Sequence, residues 1–148
     1  MAVCLCMVGT FAAKDSWAQG HHDAYMHALI NLRTARWMLE HRPGNWQQSM
    51  EEQAAENQIN DAIRDLKQAA IDDGRPIDDH PRMQEAQDRG GRLHAALDYL
   101  NKARNDVARE TDMGFGHGIH DRTFKHIDEA IRNVQIAIHS GGAHPGMR

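Results

Sequence analysis

Apolar residues recur at intervals of three and four positions along four stretches of the chain, the spacing that places side chains on one face of an α-helix. The four apolar stripes are Tyr25, Leu29, Leu32, Arg36 and Leu39; Ile59, Ile63, Leu66 and Ala70; Leu93, Leu97, Leu100, Arg104 and Val107; and Phe124, Ile127, Ile131, Val134 and Ile138. Frequent alanine and few aromatic residues also favour helices over sheets. The pattern predicts four amphipathic helices.

The second half of the chain repeats the first. Residues 59–64, INDAIR, recur as residues 127–132, IDEAIR, 68 positions later, and the same offset relates residues 28–36 to residues 96–104. Because one offset serves both blocks, the repeated unit is a pair of helices. Each predicted helix also carries two alanines seven positions apart: Ala28 and Ala35, Ala62 and Ala69, Ala96 and Ala103, Ala130 and Ala137. Such small side chains favour close helix packing.

Turn signals separate the predicted helices. Residues 42–45, RPGN, interrupt the chain after the first helix, and Ser49 with Glu52 forms a capping box that opens the second. Residues 73–76, DGRP, end the second helix, and the glycine-rich segment 111–118 precedes the fourth. Short links between helices of similar length favour antiparallel neighbours. We therefore predict an all-α, up-down-up-down antiparallel four-helix bundle built from two duplicated helical hairpins.

Composition limits the classes of function. The 148 residues suit one domain, and 17 basic and 21 acidic residues are mixed along the chain, giving a net charge of −4. A nucleic-acid or anionic membrane surface would need a clustered basic stripe, so neither partner is expected. The sequence also shows no paired nucleophile and base and no glycine loop for phosphate. We expect a protein that is not an enzyme.

The first residues resemble a leader. Residues 1–13 are largely apolar, and Ser16-Trp17-Ala18 has the small-x-Ala pattern of a signal-peptidase site. We interpret 1–18 as a signal peptide, or a truncated remnant since no basic residue precedes the apolar run, and 19–148 as one exported domain, periplasmic or secreted. A retained anchor and a soluble leader are the alternatives. Both cysteines, Cys4 and Cys6, would leave with the leader.

The chain has 11 histidines, and histidine is a common metal ligand. In an up-down-up-down bundle, one end gathers the starts of the first and third helices and the end of the second. The candidate metal ligands at that end are His22, Asp73, Asp79, His80 and His94. Nitrogen and carboxylate ligands suit zinc, nickel or copper. Helix capping and surface polarity are the alternative interpretation of the same residues.

The other end is where the two repeats differ. Glu52 and Glu56 in the second helix would face His117 and His120 in the fourth, as inward carboxylates and imidazoles do in metal-binding bundles. The alternative is ionic, because Arg36 and Arg104 occupy inward positions and need acidic partners. The two arginines are thus candidates for an ion pair, with these glutamates or with Asp61 and Glu129, or for an anionic ligand.

A second, outward stripe of apolar residues marks the first helix: Met26, Ile30 and Trp37. On a monomer this stripe would be partly exposed, which makes it a candidate homodimer interface. Packing by Trp46 or by the leader is the alternative. Non-covalent haem is less favoured, because the chain offers few aromatic residues to line a porphyrin.

Several short runs resemble those of a family of small exported bacterial proteins with no assigned activity. The runs are residues 24–29 (AYMHAL), 35–37 (ARW), 72–74 (DDG), 79–81 (DHP), 91–94 (GRLH) and 126–131 (HIDEAI). The resemblance implies an exported helical bundle and brings no catalytic residue with it. Together these observations predict an exported, non-enzymatic protein that binds a small ligand or divalent metal at a bundle end. The alternative is a structural or interaction protein that dimerises through its first helix.

Overall fold

A computed structural model describes residues 23–41, 47–72, 89–109 and 117–142. Over these residues the chain forms four α-helices and no strands: α1 (Asp23–Glu40), α2 (Met50–Asp72), α3 (Arg89–Arg109) and α4 (His117–Gly142). The prediction of an all-helical fold with four helices is confirmed. None of the described helices combines the length and the apolar character needed to cross a membrane. The predicted leader, 1–18, lies outside the described residues.

The start of α2 follows directly from local sequence. The backbone N–H of Glu52 donates to Ser49 Oγ at 3.1 Å, and the backbone N–H of Ser49 donates to Glu52 Oε2 at 3.1 Å. This reciprocal pair is the capping box that the sequence predicts, and it satisfies two N–H groups that have no partner inside the helix.

Each helix contacts two of the other three. α1 packs against α2 and α3, and α4 packs against α2 and α3, while the pairs α1–α4 and α2–α3 lie across the diagonals. The most extensive contacts join α1 to α3 and α2 to α4. Each helix thus packs most closely on the helix that repeats its sequence.

The direction of α3 differs from the prediction. Arg92, near the start of α3, contacts the carbonyls of Met38 and Leu39 near the end of α1. Asn31, in the middle of α1, donates to Asp106 near the end of α3. α1 and α3 are therefore antiparallel, and the helices run up, down, down and up in chain order.

The up-down-up-down prediction is wrong because it assumed a short link between α2 and α3. α2 has 23 residues, so it is about 34 Å long at the standard helical rise. Since α2 and α3 run in the same direction, the chain passes from one end of the bundle to the other between Asp72 and Arg89. Residues 73–88 are numerous enough to cover that distance when extended, at about 3.3 Å per residue.

The helix ends that meet at each end of the bundle therefore differ from those expected. The Asp23 end, as we call it, holds the starts of α1 and α4 and the last turns of α2 and α3. The Arg89 end holds the starts of α2 and α3 and the last turns of α1 and α4.

A single apolar core fills the space between the four helices. Its largest fully buried members are Leu29, Leu32, Met38, Leu39, Ile59, Leu66, Leu93, Leu100, Ile127 and Val107. The eight repeated alanines are buried as well, none of them more than 3 % exposed. Their small side chains let the helix backbones approach, which is the packing role predicted for them.

Enlarging one of these alanines should destabilise the bundle. We call the lines of contact between helices, where the alanines lie, the seams. Ala62→Leu and Ala130→Leu each add three carbons where no space is left, so we expect a loss of about 1–3 kcal/mol in the free energy of unfolding. Urea unfolding followed by circular dichroism measures this change. Ala108→Leu is the matched control, because Ala108 is exposed on α3. An equal loss of unfolding free energy in that variant would mean that leucine destabilises the helix even at its surface, and would contradict a packing effect at the seam.

Candidate functional site

Only one residue of the first predicted metal group, His94, lies within the described residues. His94 is exposed near the Arg89 end, where its Nδ1–H donates to the Gly90 carbonyl at 2.7 Å. Asp72, the last residue of α2, lies at the opposite end, so the predicted meeting of the start of the third helix with the end of the second is wrong. The other four residues, His22, Asp73, Asp79 and His80, lie outside the described residues.

The residues of the second predicted metal group are separated. Glu52 and Glu56 lie in the first turns of α2 at the Arg89 end, whereas His117 and His120 begin α4 at the Asp23 end. His120 instead donates through Nε2 to the Val107 carbonyl of α3 at 3.3 Å. The reason is the antiparallel packing of α2 and α4, which places equivalent positions of the two repeats at opposite ends. Among the described residues, no three His, Cys, Asp or Glu side chains form a group that could hold a metal ion.

Glu52 has a different role, as the acceptor of a buried ion pair. Its carboxylate is fully buried, with Oε1 3.3 Å from Arg89 Nε and 3.5 Å from Arg92 Nη2. Arg92, 1 % exposed, also donates through Nη1 to the carbonyls of Met38 and Leu39. A cation at a helix C-terminus satisfies carbonyls that have no partner within that helix. This buried charge cluster joins α1, α2 and α3 at the Arg89 end.

Arg36 and Arg104 are each engaged by their own hairpin. Arg36 donates through Nη1 to Asn60 Oδ1 at 3.0 Å and pairs with Glu40 at 3.3 Å. Arg104 pairs with Asp128 at 2.6 Å. The equivalent positions of the two hairpins therefore make equivalent contacts, although the partners are one residue earlier than the predicted Asp61 and Glu129.

The outward stripe of α1 is partly covered by the bundle itself. Met26, Ile30 and Trp37 are all half-buried. Trp37 packs against the core and stacks on His41, with ring centroids 4.6 Å apart. Ile30 faces a groove between α1 and α3. All three residues thus keep the partial exposure that was expected of them on a monomer.

A concave surface with several polar side chains lies between α1 and α3. It lies near the Asp23 end and has a volume of about 300 Å³. Its lining residues are His27, Ile30, Asn31, Lys102, Asn105, Asp106 and Arg109. We call this the α1–α3 groove.

Asp106 organises the α1–α3 groove. It is only 9 % exposed, and its carboxylate accepts from Asn31 Nδ2 at 2.9 Å and lies 3.7 Å from Arg109 Nη1. These partners offset the negative charge of Asp106. Lys102, one turn earlier on α3, adds a further positive charge to the wall of the groove. The groove was missed from the sequence, although Lys102, Asp106 and Arg109 share one helix face by their spacing of four and three. Only the antiparallel contact with α1 shows that this face meets His27 and Asn31.

At the Arg89 end, the contact between α1 and α3 has aromatic side chains where the α1–α3 groove has polar ones. The positions equivalent to Asn105 and Arg109 in the first repeat are Trp37 and His41, which stack on each other. The position equivalent to Asn31 is Tyr99, which packs against the core. The two repeats thus make one polar and one aromatic end of the α1–α3 seam.

A second groove, of about 420 Å³, lies along the surface of α4. Its lining residues are His120, Asp121, Phe124, Lys125, Asp128, Glu129 and Arg132. Phe124 is contacted by the His120 ring at 5.8 Å and by the Arg104 guanidinium at 4.4 Å. Asp128 pairs with Arg104, and Glu129 with Arg132 at 3.1 Å. Most of its charges are therefore balanced locally, which gives this groove no clear preference for one ligand charge.

No protein-family model matches this chain, and no curated protein or solved structure does so either.

Removing the charge of Glu52 should be costly, because Arg92 would remain buried without its counter-ion. Glu52→Gln keeps the side-chain volume and a capping oxygen, so the variant isolates the charge; we expect a loss of about 3–5 kcal/mol in the free energy of unfolding. Urea unfolding of the variant and of the unaltered protein measures this difference in the free energy of unfolding.

Glu56→Gln is the matched control. Glu56 is half-buried and accepts from Gln48 Nε2 at 2.8 Å, an interaction of the kind worth about 0.5–1.5 kcal/mol. Equal losses for the two variants would contradict a special role for the buried charge cluster.

Proposed function

We propose that this protein is a non-enzymatic binding protein that holds a small organic anion in the α1–α3 groove. The observation that carries the proposal is the wall formed by Lys102 and Arg109 above the buried carboxylate of Asp106. A divalent metal, the other ligand considered from the sequence, finds no matching group of ligands in the described part of the chain.

The charges of the groove favour an anion. Asp106 already has two internal partners, so its carboxylate is largely offset. The Lys102 ammonium lies 4.7 Å from the centre of the Tyr99 ring, and within the described residues no carboxylate pairs with it. A ligand carboxylate or phosphate would give Lys102 an anionic partner and Arg109 a second one, by charge-assisted hydrogen bonds.

Size and lining favour a small molecule with an apolar part. A groove of about 300 Å³ is at the lower limit of small-ligand sites, which measure roughly 300–1,000 Å³. Ile30 provides an apolar contact, while His27 and Asn105 provide exposed polar groups at the rim. The ligand that fits this lining carries an acidic group at one end and a short hydrocarbon portion.

Binding can be tested with a panel of short-chain carboxylates and sugar phosphates. We expect ¹⁵N chemical-shift changes confined to the α1–α3 groove. Lys102→Gln and Arg109→Gln should each weaken binding by about ten- to hundredfold, the equivalent of about 1.4–2.7 kcal/mol.

Lys125→Gln, on the separate α4 groove, is the matched control for lost surface charge. Equal weakening by Lys125→Gln would indicate non-specific attraction. Thermal melts with zinc, nickel and copper complete the comparison: stabilisation by a metal, with no response to any anion of the panel, would overturn the proposal.

We further propose that the domain acts outside the cytoplasm. The apolar segment 1–13 and the Ser16-Trp17-Ala18 pattern support export. Protein purified from the envelope or medium of its native host should begin at Gln19 by mass spectrometry. Recovery of the uncleaved chain from the cytoplasmic fraction alone would contradict export.

The bundle itself is best explained as a duplicated hairpin. The sequence offset of 68 residues supports this, and so does the match between the Arg36–Asn60 and Arg104–Asp128 contacts, each of which joins residues 24 apart. In this proposal the apolar stripes and alanines were kept in both copies, and the α1–α3 groove developed at one end of the seam only.

A further inference from the structure

His27 differs from the other histidines whose side chains the structure describes. The rings of those others all make a hydrogen bond, either with their own helix or with a neighbouring one: His41, His94, His120, His126 and His139. Within the described residues the His27 ring has no such partner, although it is exposed and lines the α1–α3 groove. Both of its nitrogens are therefore available to a molecule that binds in the groove.

The antiparallel packing of α1 and α3 places His27 opposite Arg109. Asn31 and Asp106 meet across the two helices at 2.9 Å. His27 precedes Asn31 by four residues on α1, and Arg109 follows Asp106 by three residues on α3. At a helical rise of about 1.5 Å per residue, both lie about one turn from that contact, on the side of the Asp23 end. The imidazole and the guanidinium thus line the groove at the same level, one from each helix.

The charge of the groove changes with pH through this histidine. Lys102 and Arg109 are cations, and Asp106 is the carboxylate among the described lining residues, so these three side chains give a net charge of +1. No residue of α2 or α4 belongs to the described lining. Histidine is the side chain that ordinarily changes charge between about pH 5 and 8. Proton uptake by His27 therefore raises the net charge of the lining to +2.

We infer that His27 is a ligand-binding residue of the α1–α3 groove, and that its protonation makes the groove bind organic anions more tightly in acid. The inference rests on the proposed function and adds the regulation of that same site. An acidic group bound between the two helices accepts hydrogen bonds from Arg109 at every pH, and from a charged imidazole N–H below neutrality. The anion also separates two cations that would otherwise face each other, which is unfavourable.

Titration with propane-1-sulfonate at about pH 8 and about pH 5.5 tests the inference. The sulfonate stays ionised at both values, and carboxyl groups ordinarily do so as well, so a change in affinity reports on histidine. Followed by ¹⁵N shifts of the groove residues, binding to the unaltered protein should be roughly three- to tenfold tighter in acid. His27→Gln should bind with the same affinity at both pH values. His27→Lys, which is charged at both, should bind tightly at both.

Proton uptake provides a second measurement. If a proton on His27 favours the anion, the anion must favour the proton by the same factor. Near neutral pH, we expect binding of propane-1-sulfonate to the unaltered protein to take up a fraction of a proton. Calorimetry in two buffers of different ionisation enthalpy measures this fraction, and His27→Gln should show none. Equal uptake by the two proteins would contradict a role for His27.

His94→Gln is the matched control, because His94 is exposed on α3 near the Arg89 end, away from the groove. This variant should keep the full pH response. Loss of the response in His94→Gln, or its persistence in His27→Gln, would mean that overall protein charge attracts the anion, and would overturn the inference. Groove binding by the unaltered protein with equal affinity at both pH values would overturn the inference alone. If the groove residues show no shift at either pH, the proposed function fails together with it.

Discussion

The antiparallel packing of α1 on α3 is the constraint on which the rest of the structure depends. It places the start of α3 against the end of α1, where Arg92 reaches the Met38 and Leu39 carbonyls. It also places Asp106 opposite Asn31 and so creates the α1–α3 groove. A parallel arrangement of the same two helices would bury the same leucines and alanines. It would, however, leave Arg92 beside the N–H groups at the start of α1, an unfavourable position for a cation.

Charged side chains thus determine the direction of the helices, which apolar packing leaves open. The apolar stripes of the two repeats are nearly equivalent, so the hydrophobic effect alone discriminates weakly between directions and partners. Removing charges from water is costly, and a buried ion pair is retained only with good partners. Glu52 has them in Arg89, Arg92 and its own capping box with Ser49. A single buried carboxylate therefore fixes both the start of α2 and its position relative to α3.

The features predicted correctly from the sequence are those set by local spacing. The four helices, the alanine seams and the capping box depend on residues within a few turns of each other. The direction of α3 does not, because the stripe of Leu93 and Leu100 fits the core in either direction. The second candidate metal group depended on that direction, and its residues are separated in the structure. Glu52 and His120 were expected to face each other since they are equivalent in the repeat. Because α2 and α4 are antiparallel, the first turns of these two helices lie instead at opposite ends of the bundle.

The two ends of the α1–α3 seam carry different side chains, although an offset of 68 residues relates their positions in the sequence. Each end is built from the end of one helix and the start of the other. A substitution such as tryptophan for asparagine, seen between positions 37 and 105, alters one end and leaves the other unchanged. One end closes over the stacked Trp37 and His41 and supports the core. The other end carries the exposed side chains of Lys102 and Arg109 beside Asp106, which is 9 % exposed.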